Sequence, residues 1–235
     1  MGWGVGLAFY GVIIGAITAS FTDYIASNTD FQSFAQRYGI GELTTPADFI
    51  GLMAGVVGLL LVLQLVTSLR HGWEDEDAGR LELYHSLPMT RPSWLGAEVV
   101  ASVVAVVLAA AVSAVATWIG AVVGGAELTL GQSASAVANT ASVLVLFGGA
   151  AVLLHGVAPR IAMPVTAGSA VVAYFLGFLG PAANLPDWVV WVSPFHHLAS
   201  VPAHPVAWAA AVLMTTAGLG LGALGFLTYS RRDLA

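Results

Sequence analysis

The chain has 235 residues, of which 58% are hydrophobic and only 9% charged, against about 25% charged in soluble domains. So few charges cannot solvate the surface of a soluble domain, and a mean hydropathy of +0.86 places the chain among integral membrane proteins. The net charge of −6 argues against nucleic acid as a partner, and the lack of cysteine removes disulfides, thiolate nucleophiles and thiolate metal sites.

A spanning helix needs about 20 mostly apolar residues, and six runs reach that length. The first covers 2–20; it has no basic flank or clear cleavage signature and is read as a span, not a removable signal peptide. The others cover 49–69, 94–123, 134–157, 161–183 and 206–229. They are continuous, not alternating, so helices and not strands are expected. Between the first two spans lies a polar loop, 21–48, with interleaved aromatics. Between the fifth and sixth lies 184–205, NLPDWVVWVSPFHHLASVPAHP, which carries Trp188, Trp191, Phe195, His196 and His197. Prolines chop it into pieces, and tryptophan favours the membrane interface. One or two short helices dipping into the outer leaflet are expected there, covered by protein where the backbone is broken.

Six spans put both ends of the chain on one side, and the arginines choose which. Arg70, Arg80 and Arg91 follow span two, Arg160 follows span four, and Arg231 and Arg232 follow span six; only Arg37 falls opposite. The positive-inside rule then places both termini, the 70–93 loop and the 230–235 tail in the cytoplasm of a multi-pass cell-membrane protein.

One polar stretch on that side stands out: EDEDAGRLELYHSLPMTRPSW, 74–94. Glu74, Asp75, Glu76 and Asp77 would suit the first turn of a helix, where carboxylates complement the dipole. Leu81, Tyr84 and Leu87 form an apolar stripe, and Pro88 ends it. The segment reads as a short amphipathic helix at the cytoplasmic surface, either a lipid anchor or a protein-docking element. Surface anchors on that leaflet are usually basic, whereas Arg70, Arg80 and Arg91 here meet five carboxylates, which favours docking.

The run of Gly79, Arg80, Glu82, Tyr84, Pro88, Arg91 and Trp94 behind an acidic cluster resembles the cytoplasmic loop of type-2 ABC exporter permeases, closest to the antibiotic (polyketide) exporter group. The LPDWVVWVSPFHHLASVP segment and the final YSRRDL resemble that group too. The resemblance implies an all-α fold of six transmembrane helices with a coupling helix between spans two and three. It implies that Glu74, Asp75, Glu76, Asp77, Gly79, Arg80, Leu81, Glu82, Tyr84, Leu87, Pro88 and Arg91 dock a separate ATPase subunit, which binds ATP and Mg. Members of the group often carry twelve spans; this chain has six, looks like the second half and starts inside the first span. It would therefore pair with another half, identical or separately encoded, and move a hydrophobic or amphiphilic drug, antibiotic or lipid outward.

Other motifs weigh less. Gly220, Gly222 and Gly225 spell G-x-G-x-x-G, but a dinucleotide site needs a preceding strand, and this string lies inside a span, where it serves helix packing. No lysine exists in the chain, so no P-loop does either. Paired glycines at 11/15, 51/55, 120/124 and 218/222 allow close helix approach. Gln64 and Asn139 are intramembrane polar groups, read first as interhelix hydrogen bonders and second as lining a substrate path. His196, His197 and His204 lack a carboxylate neighbour other than Asp187, and interface histidines fit them better than a zinc site. No catalytic, cofactor or metal residue is assigned. The alternatives are an intramembrane hydrolase using His155 or the 196–204 histidines, for which no paired nucleophile or carboxylate is found, and a secondary transporter, for which no mid-bilayer ionisable residue is found.

Overall fold

The computed structural model describes residues 2–30, 45–77 and 91–231, with side chains described except at 71–77 and 91–92. Among these residues the protein is helical, without strands, and six helical segments are long and apolar enough to cross a membrane. In chain order the helices are α1 (Gly2–Ser27), α2 (Pro46–Asp77), α3 (Arg91–Val123), α4 (Leu130–Ala138), α5 (Ala141–Val157), α6 (Pro159–Leu179), α7 (Asp187–Trp191), a 3-10 turn (Pro194–His197) and α8 (Trp208–Ser230). Spans one to three are α1, α2 and α3; α4 and α5 together make span four, α6 span five and α8 span six.

The spans fall where the apolar runs do, and local chemistry sets their ends. α1 outruns the expected stop at residue 20 because Thr18 and Thr22 fold their hydroxyls back onto the carbonyls of Ile14 (2.7 Å) and Thr18 (3.0 Å), keeping polar residues satisfied inside the helix. α2 opens on a reciprocal cap: the Asp48 carboxylate accepts from the Thr45 backbone N–H (3.0 Å), and the Thr45 hydroxyl accepts from the Asp48 N–H (3.2 Å). Pro46 supplies the first helical turn. α4 opens on the same device, Thr129 with Gln132.

Two expectations need correction. Glu74, Asp75, Glu76 and Asp77 do not open a separate helix; the backbone runs helical from Pro46 to Asp77, so they continue α2. No proline interrupts 70–77, and Gly72 alone costs a helix only about 1 kcal/mol, so continuation outweighs the dipole preference for carboxylates at an N-terminus. Span four is not one continuous helix from 134. It begins at Leu130 and breaks at Asn139 and Thr140.

α2 is the hub. In its membrane window 61% of residues are buried, against 17–44% in the other spans, and Leu61 and Val62 are fully enclosed. Two close helix pairs flank it. α1 lies on α3 through the expected glycines: a Cβ on Gly11 would sit 2.9 Å from the Ser113 carbonyl oxygen, and one on Gly15 would sit 2.6 Å from the Ala121 nitrogen. Gly120 and Gly124 return the contact against the backbones of Val12 and Ala16. Partner numbers rise together, so the two helices run parallel, as spans one and three must. α5 lies on α8 in the same parallel sense, through Gly149 and Gly156 on one side and Gly218 and Gly225 on the other. That seam repeats every seven residues and not every four. Gly222 plays little part in it, its Cβ position lying 3.7 Å from Gly149 Cα.

Candidate functional site

The 180–207 segment folds back into the bundle. Ser193, fully buried, caps the 3-10 turn by accepting from the His196 N–H (3.3 Å) and donates to the Ala173 carbonyl (2.6 Å). Ala173 lies six residues inside the end of α6, about 9 Å at 1.5 Å per residue. Asn139, the C-cap of α4, donates from Nδ2 to the Ala199 carbonyl at 2.8 Å; it lies nine residues, or about 13 Å, from the helix's Leu130 start. Side chains thus satisfy the His196 N–H and the Ala199 carbonyl where the segment's backbone is irregular, as a bilayer would require.

Phe195 is the apolar anchor. It is 9% exposed and meets Tyr174 edge-on at 5.5 Å and Phe147 at 6.1 Å. Gly51 of α2 receives the Ser200 backbone, a Cβ there coming within 2.9 Å of it, and Gly55 lies under the Tyr174 ring. The 51/55 glycine pair thus seats this segment and α6. Trp188 and Trp191 point outward, 73% and 66% exposed, in keeping with an interfacial belt.

Between α2, α4, α6 and this segment lies a cavity of about 170 Å³, walled by Gly55, Asn139, Tyr174, Phe178, His196 and Ser200 among others. Its walls mix aromatic rings with an amide, a phenol and an imidazole, so it suits a small amphiphilic group more than a hydrocarbon. His196 is held below the ordinary imidazole range, first by burial and second by His197, whose ring lies 5.5 Å away. His197 Nε2 lies 2.9 Å from the Trp191 carbonyl; a carbonyl only accepts, so that nitrogen carries the proton. Among the described residues no three His, Asp or Glu side chains gather as a metal site.

Of the residues singled out from sequence, Asn139, Phe195 and His196 come together here. Gln64 does not. It is 5% exposed and donates to the Ala105 carbonyl at 3.2 Å, joining α2 to α3. His155 stacks on Tyr229 at 5.6 Å in the α5–α8 seam. Sequence reading overlooked Ser193 and Tyr174; the Ser-Pro at 193–194 is a helix-start signal that would have found the first.

The residues expected from sequence to dock an ATPase lie elsewhere in the chain. Gly79, Arg80, Leu81, Glu82, Tyr84, Leu87 and Pro88 fall outside the described residues, as do the side chains of Glu74, Asp75, Glu76, Asp77 and Arg91. What is described is their frame. In the two flanking helices, Leu69 of α2 (1% exposed), eight residues before Asp77, and Leu95 of α3 (0%), four residues after Arg91, are buried in the core.

Residues 1–230 match the model of the family described as "Multidrug efflux system permease Rv1217c, C-terminal domain". The chain is also 28% identical over 246 aligned positions to the multidrug efflux system permease protein Rv1217c of Mycobacterium tuberculosis. That alignment takes in 99% of this chain and 42% of the relative's length.

Proposed function

Because the chain belongs to the family of the C-terminal domain of multidrug efflux system permeases, we propose that it is one membrane half of an ATP-driven ABC exporter. The observation that carries this is the family match across all six spans. The relative's name speaks of multidrug efflux; in this chain the substrate would be a hydrophobic or amphiphilic drug, antibiotic or lipid. A second half, identical or separately encoded, completes the pathway. Both termini face the cytoplasm, following the arginine split.

ATP and Mg belong to separate ATPase subunits, since a chain without lysine has no P-loop. Residues 78–90, with the acidic end of α2, dock in a groove of that subunit. Closure of the ATPase pair pushes on the loop, and the buried Leu69 and Leu95 carry the push into α2 and α3. α2 is the helix best placed to spread it, because it contacts α1, α3, α5 and α6. The 170 Å³ cavity at the far end of α2 is the candidate exit-side contact for the polar part of a substrate.

The test is Tyr84→Ala together with Leu87→Ala. Losing a buried interface anchor costs about 2 kcal/mol or more, so the double variant inserts normally but loses ATPase co-purification or uncouples hydrolysis from export. Wild-type assembly and export in that variant would refute the docking role.

A further inference from the structure

The cavity beside Asn139, at about 170 Å³, is too small for a whole drug-sized ligand, which takes about 300–1,000 Å³. It is close to the ~150 Å³ that accepts one benzene ring, so it has room for one ring-sized group. Polar atoms on its walls are unspent. Asn139 gives Nδ2 to Ala199, which leaves Oδ1 as an acceptor. The hydroxyls of Tyr174 and Ser200 and the ring nitrogens of His196 make no hydrogen bond among the described residues. His196, exposed at the cavity's edge, is held below the ordinary imidazole range, so its ring is neutral at pH 7 and offers one donor and one acceptor. Each hydroxyl offers both. Among the described residues no Asp, Glu or Arg lines the cavity, so a charged group would be desolvated there without a counter-charge. The apolar wall is aromatic: Tyr174 stands edge-on to Phe195 at 5.5 Å and stacks on Phe178 at 5.9 Å.

We infer that this cavity takes one uncharged six-membered ring bearing several hydroxyls, the glycosyl group of an amphiphilic molecule. A bare aromatic ring matches the volume but leaves the wall's donors and acceptors unmet, which costs more than a hydrogen bond gains. A single hydroxyl meets one or two of them. Water meets the polar atoms but not the aromatic rings, whose surface gains by leaving water. A sugar ring carries hydroxyls enough for Asn139, Tyr174, His196 and Ser200, and its C–H bonds pack on the electron-rich faces of aromatic side chains. The inference rests on the reading of this cavity as a contact for the polar part of a substrate, and it names that part.

The protein, purified with its native partners and set in vesicles without nucleotide, would be photolabelled with an octyl glucoside that carries a diazirine beside the sugar. Adducts should concentrate on peptides holding Tyr174 and Ser200. Tyr174→Phe and Ser200→Ala delete hydroxyls that have no protein partner and keep the packing, and each should weaken labelling about threefold to tenfold. Val112→Phe, in an apolar groove against α1, should change nothing. On the unaltered protein, unlabelled octyl glucoside should compete at least about tenfold better than octanol, octyltrimethylammonium or octyl sulfate. Competition by monoglucosyl diacylglycerol in the bilayer would mark a glycolipid as the source of the ring, and competition by a water-soluble aryl glucoside a glycosylated small molecule; either supports the inference. Octanol or a charged head group competing as well as the glucoside, or labelling unchanged in both hydroxyl variants, would overturn it. Export is not read in this assay, so such a failure beside intact ATPase co-purification would leave the exporter reading standing.

Discussion

The seam between α5 and α8 gives a discriminating test, because one short string, Gly218 to Gly225, mixes glycines that touch backbone with glycines that do not. A Cβ on Gly225 would sit 2.6 Å from the carbonyl carbon and oxygen of Val152 and from the nitrogen of Leu153. All three are backbone, so no side chain can swing away. Reaching an ordinary contact of 3.4 Å requires the helices to part by about 0.8 Å. A gap of 0.5–1 Å forfeits a quarter to a half of each dispersion contact, at about 0.1–0.2 kcal/mol per atom pair. Some tens of pairs along the seam then lose roughly 1–3 kcal/mol, the range typical of overpacked cores. Gly220 has open space around its Cβ position, and Gly222 has only the 3.7 Å contact. Alanine there relieves a helix glycine at a gain of up to about 1 kcal/mol. Thermal unfolding of the detergent-solubilised protein should therefore show Gly225→Ala melting about 2–10 °C lower, with Gly220→Ala and Gly222→Ala level with wild type or above it. If Gly220→Ala were as damaging as Gly225→Ala, the close-contact account of this seam would fail.

Three further outcomes follow from the site and the topology. Asn139→Leu removes the tie to Ala199; interhelix hydrogen bonds in membranes average about 0.6 kcal/mol, so maleimide labelling of a Ser200→Cys reporter should quicken about threefold, and an unchanged rate would show that the bond does not hold the segment down. The lowered pKa of His196 means that the unfolded chain binds more protons between that value and about 6.5. Stability then rises with pH and is lost as pH falls through that window; His196→Gln should flatten the acid-side decline of the melting temperature, and an identical decline would remove this group from the account. Ser33→Cys should react with an impermeant reagent from outside, and Ser86→Cys only from inside; external labelling at position 86 would break the six-span orientation.

The six spans were legible because bilayer length and continuous apolar runs leave little choice. Their ends were less so, although Thr45-x-x-Asp48 and Thr129-x-x-Gln132 carry the capping pattern in plain sight. The break at Asn139 has no proline or glycine to announce it. It forms where Thr140 meets Gly58 of α2, a Cβ there lying 3.0 Å from the threonine methyl, and where Asn139 reaches Ala199. Those partners are 82 and 60 residues away in the chain, so no local window contains the cause. Four-residue glycine spacing marked α1 and α3 as helices that can be approached closely, but not that they pack on each other. The α5–α8 seam was missed because its seven-residue spacing becomes visible only when Gly149 and Gly156 are set beside Gly218 and Gly225. At the 180–207 segment, prolines and tryptophans predicted a dipping element, but the burial of Ser193 and the cavity beside Tyr174 depend on which carbonyls α6 presents.

The most direct measurement is purification of the tagged chain from its native membranes in mild detergent, followed by assay of the bound fraction for Mg-dependent ATP hydrolysis and by identification of what comes with it. The account predicts a nucleotide-binding ATPase subunit in that fraction, turnover that leaves when the subunit is washed off, and none in the isolated chain. A chain that hydrolyses ATP alone, or that brings no ATPase from membranes where the export activity is intact, would contradict it.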